Sequence, residues 1–145
     1  MHPRKQGDFG ELSALCWLTQ KGALVSKPLF HCPDYDLVAD FGEGPLRIEV
    51  KTGTRYDKKR WSVQLCTHGG NQSWTGMAKV FDPERCDFVF AHVGDGRRWF
   101  IPTSALDGGR AVTLGGPKYA EFEVEPGDPI PNQTAEEGGS TIARP

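Results

Sequence analysis

The chain has 145 residues, of which 37% are hydrophobic and 25% charged, with a formal net charge of −2 and a pI near 6.1. That length supports one hydrophobic core and excludes two, and the composition is that of an ordinary soluble globular domain. No apolar run approaches the length of a membrane span and Met1–Gln6 leads into no apolar leader core, so a cytoplasmic protein without a membrane partner is expected.

Residues 3–22 form the first predicted element, a helix with Phe9, Leu12, Leu15 and Cys16 on one stripe and Gly22 placed to stop it. Glu11 falls at the edge of that stripe. Asp8 followed three residues later by Glu11 also spells a capping box, unless Pro3 marks an earlier helix start. Ala23–Phe30 is a predicted strand whose Lys27-Pro28 step implies an edge or a bend.

The next two runs, Asp36–Phe41 and Leu46–Lys51, are joined by Gly42-Glu43-Gly44-Pro45 and read as an antiparallel hairpin. Successive strand residues face opposite ways, so Leu46, Ile48 and Val50 share one face and Arg47, Glu49 and Lys51 the other. Leu37, Ala39 and Phe41 separate in the same manner from Asp36, Val38 and Asp40. The hairpin therefore sets Asp36 near Glu49 and Lys51, away from the core.

Arg60–Cys66 alternates again, with Trp61, Val63 and Leu65 inward; if it pairs with the Glu49 strand, Gln64 reaches the same neighbourhood. Residues 67–79 are rich in Gly and polar residues, a mobile loop passing into a short helix. Within it His68 could meet a phosphate and Trp74 could stack, with loop packing the competing role for each. Asp87–Val93 is an apolar strand, Asp95-Gly96 a turn and Arg97–Pro102 the return strand. Residues 1–125 are expected to form the domain, and 126–145 an acidic Gly/Pro-rich disordered tail.

Cys16, Cys32, Cys66 and Cys86 lie far apart with no C-x-x-C pair, which suggests reduced thiols and not a disulfide frame. His31-Cys32 with Cys66-Thr67-His68 lacks the tight spacing of a structural zinc site. Residues 121–137 hold six acids and no Lys or Arg, so residues 1–120 carry a net +3 and form a mildly basic body. Arg55-Tyr56-Asp57-Lys58-Lys59-Arg60 follows the Glu49 strand directly, as a loop contacting a phosphate backbone or as a solvated hairpin tip.

Two carboxylates and an ammonium on one strand face suit a hard divalent cation and a phosphate, since Mg2+ takes one or two carboxylates and completes its shell with water and phosphate oxygens. Spacing alone leaves open a solvated strand face with an incidental Glu and Lys.

The order Glu11, Asp36, Glu49-Val50-Lys51 resembles the PD-(D/E)XK nuclease superfamily, and Gly7-Asp8-Phe9-Gly10-Glu11-Leu12 resembles its intron-associated endonucleases and Holliday junction resolvases. Lys51-Thr52-Gly53-Thr54, Asp87-Phe88-Val89-Phe90, Trp99-Phe100-Ile101-Pro102 and, more weakly, Lys118-Tyr119 extend the likeness over roughly residues 5–120. The resemblance implies an α/β restriction-endonuclease-like core of order αβββαβ, with a central mixed sheet flanked by helices. It implies a Mg2+-dependent DNA endonuclease, with Mn2+ able to substitute and no small-molecule cofactor, leaving 5′-phosphate and 3′-hydroxyl ends. Asp36 and Glu49 would bind the metal with the Val50 carbonyl as a further ligand, Lys51 would be the catalytic lysine, and Glu11 would reach a second metal or its water. Substrate contacts would come from Gln64, Arg55, Lys58, Lys59, Arg60 and His68. The literal "PD" is Pro33-Asp34, yet Asp36 opens the strand and is preferred, with Asp34 the fallback. One site cuts one strand, so action on a duplex or junction favours a homodimer or larger homo-oligomer. Junction resolution, a catalytically silent DNA-binding module and a protein-interaction domain remain as other readings.

Overall fold

The structure, a computed structural model, describes residues 1–65, 67–68, 78–79 and 81–131. Helix α1 (Pro3–Gln20) starts with Pro3 in its first turn, where a missing N–H costs nothing, and His2 caps it by accepting from the Arg4 N–H. Asp8 therefore lies inside the helix, and the capping-box account of Glu11 falls away. The helix stops at Lys21 before Gly22, whose φ of 96° suits only glycine comfortably.

The inward stripe of α1 is not the expected one. Gly10, Ala14, Trp17 and Leu18 are buried, whereas Leu12, Leu15 and Cys16 are exposed. Close approach to the sheet is the reason. A Cβ on Gly10 would lie 2.4 Å from the Thr52 methyl, so the helix turns its small residues inward over the sheet and its leucines outward.

Among the described residues eleven strands follow: β1 (Leu24–Ser26), β2 (Leu37–Asp40), β3 (Pro45–Gly53), β4 (Arg55–Asp57), β5 (Arg60–Gln64), β6 (Thr67–His68), β7 (Ala78–Lys79), β8 (Phe88–Val93), β9 (Arg98–Pro102), β10 (Ala111–Leu114) and β11 (Glu123–Val124). The main sheet runs β1-β2-β3-β8-β9-β11, with β3 and β8 parallel and every other pair antiparallel. It is the central mixed sheet expected. Among the described residues, however, α1 is the only α-helix, and the opposite face is covered by a second sheet, β10-β5-β4. That sheet can stand where a helix was expected because Trp61, Val63, Leu65, Val112 and Leu114 all point inward from it.

The main sheet thus has a core on each side. Toward α1 lie Ala14, Trp17, Leu18, Leu37, Ala39, Ile48 and Phe90; toward the small sheet lie Val89, Ala91, Val93, Trp99 and Ile101 against Trp61, Val63, Val112 and Leu114. Strand β8 is buried on both faces and apolar except for His92, as suits a central parallel strand.

Three expectations need correction. Strand β5 pairs with β4 and β10, not with β3, so Gln64, opposite Ala111, does not join the Glu49 strand. Thr67–His68 pairs with Ala78–Lys79 as a short hairpin; the His68 side chain and Trp74 lie outside the described residues. Packed structure also does not end at Glu125. Gly127 N–H donates to the Gly96 carbonyl, Ile130 N–H to the Gly94 carbonyl, and Ile130 is buried, because the β8–β9 turn offers free carbonyls and an apolar seat. Residues 132–145 lie outside the described residues. No described helix is long and apolar enough to cross a membrane.

Candidate active site

Strand β3 positions the site. Its register with β2 pairs Leu37 with Ile48, so the residue before β2, Asp36, comes to Glu49. Asp36 N–H donates to the Ile48 carbonyl at 2.8 Å, and the Val50 N–H donates to Asp36 Oδ2 at 2.7 Å. The carboxylate thus takes the place of the backbone acceptor that β2, starting one residue later, does not supply. A strand residue's N–H and C=O leave on the same side, so the Val50 carbonyl is directed to the Asp36 side as well.

Glu49 and Lys51, two residues apart on one face of β3, form an ion pair of 3.2 Å with both side chains only 13% exposed. A solvated strand face is thereby excluded. Burial, reinforced by the charge of Asp36, pushes Glu49 up to about 7 against the opposing pull of Lys51. Burial also raises Asp36 above the usual carboxylate range, despite the Val50 N–H and the cations Lys51, Lys27 and His31. Two desolvated carboxylates share too little positive charge.

Glu11 approaches from the helix side of the sheet. It is ion-paired with Lys27 and lines a cleft of about 190 Å³ together with Lys27, Tyr35 and Asp36. Among the described residues no three His, Cys, Asp or Glu side chains converge as a ready metal cage. Asp36 and Glu49 are therefore a pair, and Glu11 faces the cleft through its lysine. Asp34, the literal "PD" aspartate, is instead held by Arg85 at 2.9 Å.

The remaining predicted contacts lie on the β4–β5 hairpin. Lys58 and Lys59 form its two-residue turn with φ of 51° and 62°, a left-handed conformation that Asn and Gly adopt more readily than lysine. Arg55, Lys58 and Arg60 line a groove of about 400 Å³ with Ser62 and Thr113. Lys27 escaped the sequence reading: Lys27-Pro28 signals a bend, and nothing in its spacing announces a cation between Glu11 and Asp36.

A mixed sheet with α1 on one face, and an Asp, a Glu-x-Lys and a helix glutamate disposed about strand β3, is an arrangement of the PD-(D/E)XK kind. The sequence profile described as PD-(D/E)XK endonuclease matches residues 1–112, and the chain belongs to that family. Among solved structures it is similar to I-Ssp6803I, a bacterial homing endonuclease, at 22% identity over 83% of this chain and 86% of that one, with a TM-score of 0.63, a likeness of fold. It also matches Hjc, a Holliday junction resolvase from the archaeal hyperthermophile Archaeoglobus fulgidus, at 20% identity over 78% and 93% of the two chains, with a TM-score of 0.47. No curated protein matches the chain.

The residues fit a hard divalent cation. Both candidate ligands are carboxylates, adjacent, half-desolvated and short of positive charge, and a pair is the number of protein carboxylates Mg2+ ordinarily takes.

Proposed function

We propose that the protein is a Mg2+-dependent DNA endonuclease that hydrolyses phosphodiester bonds at Asp36, Glu49 and Lys51. The juxtaposition of Asp36 with the buried Glu49–Lys51 pair carries this reading. Asp36, Glu49 and the Val50 carbonyl would hold the cation, which supplies positive charge against the scissile phosphate. Lys51 is held in place by Glu49. Its ammonium orients the attacking water and offsets the charge that builds on the phosphate oxygens in the transition state. Glu11, which lines the cleft with Asp36 and is ion-paired with Lys27, would accept hydrogen bonds from water around the cation. Arg55, Lys58 and Arg60, which line the hairpin groove with Asp57, and Lys59 at the neighbouring turn track the DNA backbone, a sequence-independent contribution. Two such sites brought together in a homodimer would cut both strands.

The test is incubation of pure protein with plasmid, single-stranded and four-way-junction DNA, with Mg2+ or Mn2+ against EDTA. Cleavage that needs the cation and is lost in Glu49→Ala and Lys51→Ala is expected. Binding without cleavage by the unaltered protein under every condition would make it a silent module. Sedimentation of the DNA complex checks the dimer, and a monomer there would count against it.

A further inference from the structure

Leu29 and Phe30 are 88% and 82% exposed, the two most solvent-exposed large apolar side chains among the described residues. They sit together between β1 and Asp36. Their loop lines the same cleft as Glu11 and Asp36, with Lys27 before them and His31 after. Pro28 and Pro33 bracket the loop, fixing their own φ and restricting Lys27 and Cys32, so the pair is presented on a stiff segment.

We infer that Leu29 and Phe30 are a wedge that enters the base stack of duplex DNA beside the bond to be cut. The inference rests on the nuclease reading above. Leu29 and Phe30 line the cleft that Asp36 and Glu11 also line, so a strand whose phosphate reaches Asp36 would lie beside the apolar pair. Lys27 and His31 stand on either side of the pair and line the cleft with it, nitrogen donors where the flanking phosphates of an opened step would lie. Apolar side chains inserted between base steps unstack them and kink the duplex. Here the kink would bend the scissile phosphate out of the regular backbone toward Asp36 and Glu49.

The experiment uses full-length Glu49→Gln protein, which should bind without cutting, and random-sequence duplexes carrying 2-aminopurine at successive positions. Binding is followed by anisotropy and unstacking by 2-aminopurine fluorescence. At saturation the Glu49→Gln protein should raise the fluorescence roughly two-fold or more above that of the free duplex, whichever position carries the probe. Adding Leu29→Ala and Phe30→Ala should abolish that rise at saturating protein while weakening binding about ten-fold. Binding with no rise, or a rise that survives the two substitutions, overturns the wedge and leaves the nuclease reading standing. Absence of any DNA binding by the unaltered protein defeats both. Sedimentation without DNA gives the third arm: if the two substitutions turn a self-associated protein into monomers, the pair is a contact between copies and the wedge is wrong.

Discussion

In the proposed mechanism Glu49 is the residue at which function and stability oppose each other. A carboxylate ordinarily near 4.5 that is raised to about 7 binds more protons folded than unfolded between those values. Its folded-state cost is therefore absent below about pH 4.5, grows as pH rises toward 7 and is complete above. Glu49→Gln should consequently raise stability at pH 8 by about 1–3 kcal/mol and change little near pH 5, which urea unfolding at the two pH values would measure. A variant that is equally destabilised at both would show that the Lys51 ion pair outweighs burial. Lys51 makes the complementary case. In the proposed mechanism its ammonium acts on the transition state, so Lys51→Ala should lower cleavage by about 100-fold or more, with DNA affinity changed far less. Comparing single-turnover rates with anisotropy separates the two quantities.

Among the elements, α1 and β3 fit each other through Gly10. The glycine costs the helix about 1 kcal/mol of propensity, and in return α1 approaches β3 closely enough to set Glu11 at the cleft. Thr52 cannot easily turn aside, because its hydroxyl accepts from Gln6 at 3.0 Å. Gly10→Ala should accordingly destabilise the fold by about 1–3 kcal/mol although alanine is the better helix former, a sign that urea unfolding reads directly. The helix itself was legible in the sequence and its buried stripe was not. Periodicity counts large apolar residues, and here the contact face holds Gly10 and Ala14 while Leu12 and Leu15 look outward. The β4–β5 turn shows a second misfit between local preference and sequence. Lys58→Asn with Lys59→Gly suits its left-handed backbone and should stabilise by about 0.5–1 kcal/mol. The same pair of changes removes two cations, so the slope of log affinity against log salt should fall by about 2.

At the scale of the whole molecule, the hairpin that joins Asp36 to Glu49 was readable because its alternation and its Gly-Pro link are local. The parallel pairing of β3 with β8 and the second sheet were not, since both join segments far apart in sequence and no local signal fixes their partners. The acidic C-terminal run was misjudged for a similar reason. Composition suggested a disordered tail from residue 126, and the acids just before it are tied in: Glu123 pairs with Arg97, and Glu125 accepts from Trp17 Nε1 and is ion-paired with Lys21. Beyond them the chain is strapped to the sheet. Arg98 Nε donates to the Glu125 carbonyl at 2.8 Å, and Nε2 of the buried His92 lies 2.8 Å from the Asp128 carbonyl. Burial lowers the proton affinity of His92, so it is neutral with Nε2 the donor and Nδ1 accepting from the Ser13 hydroxyl 2.7 Å away. Ending the chain at Glu125 would expose Ile130's seat and leave a buried imidazole N–H without its acceptor, a loss of about 2–4 kcal/mol. Ending it at Pro131 keeps every one of these contacts and should change stability by less than about 0.5 kcal/mol. Urea midpoints of the two truncations against the full chain decide it: equal losses would mean that the strap contributes nothing, and a large loss at Pro131 would place a further structural role in residues 132–145.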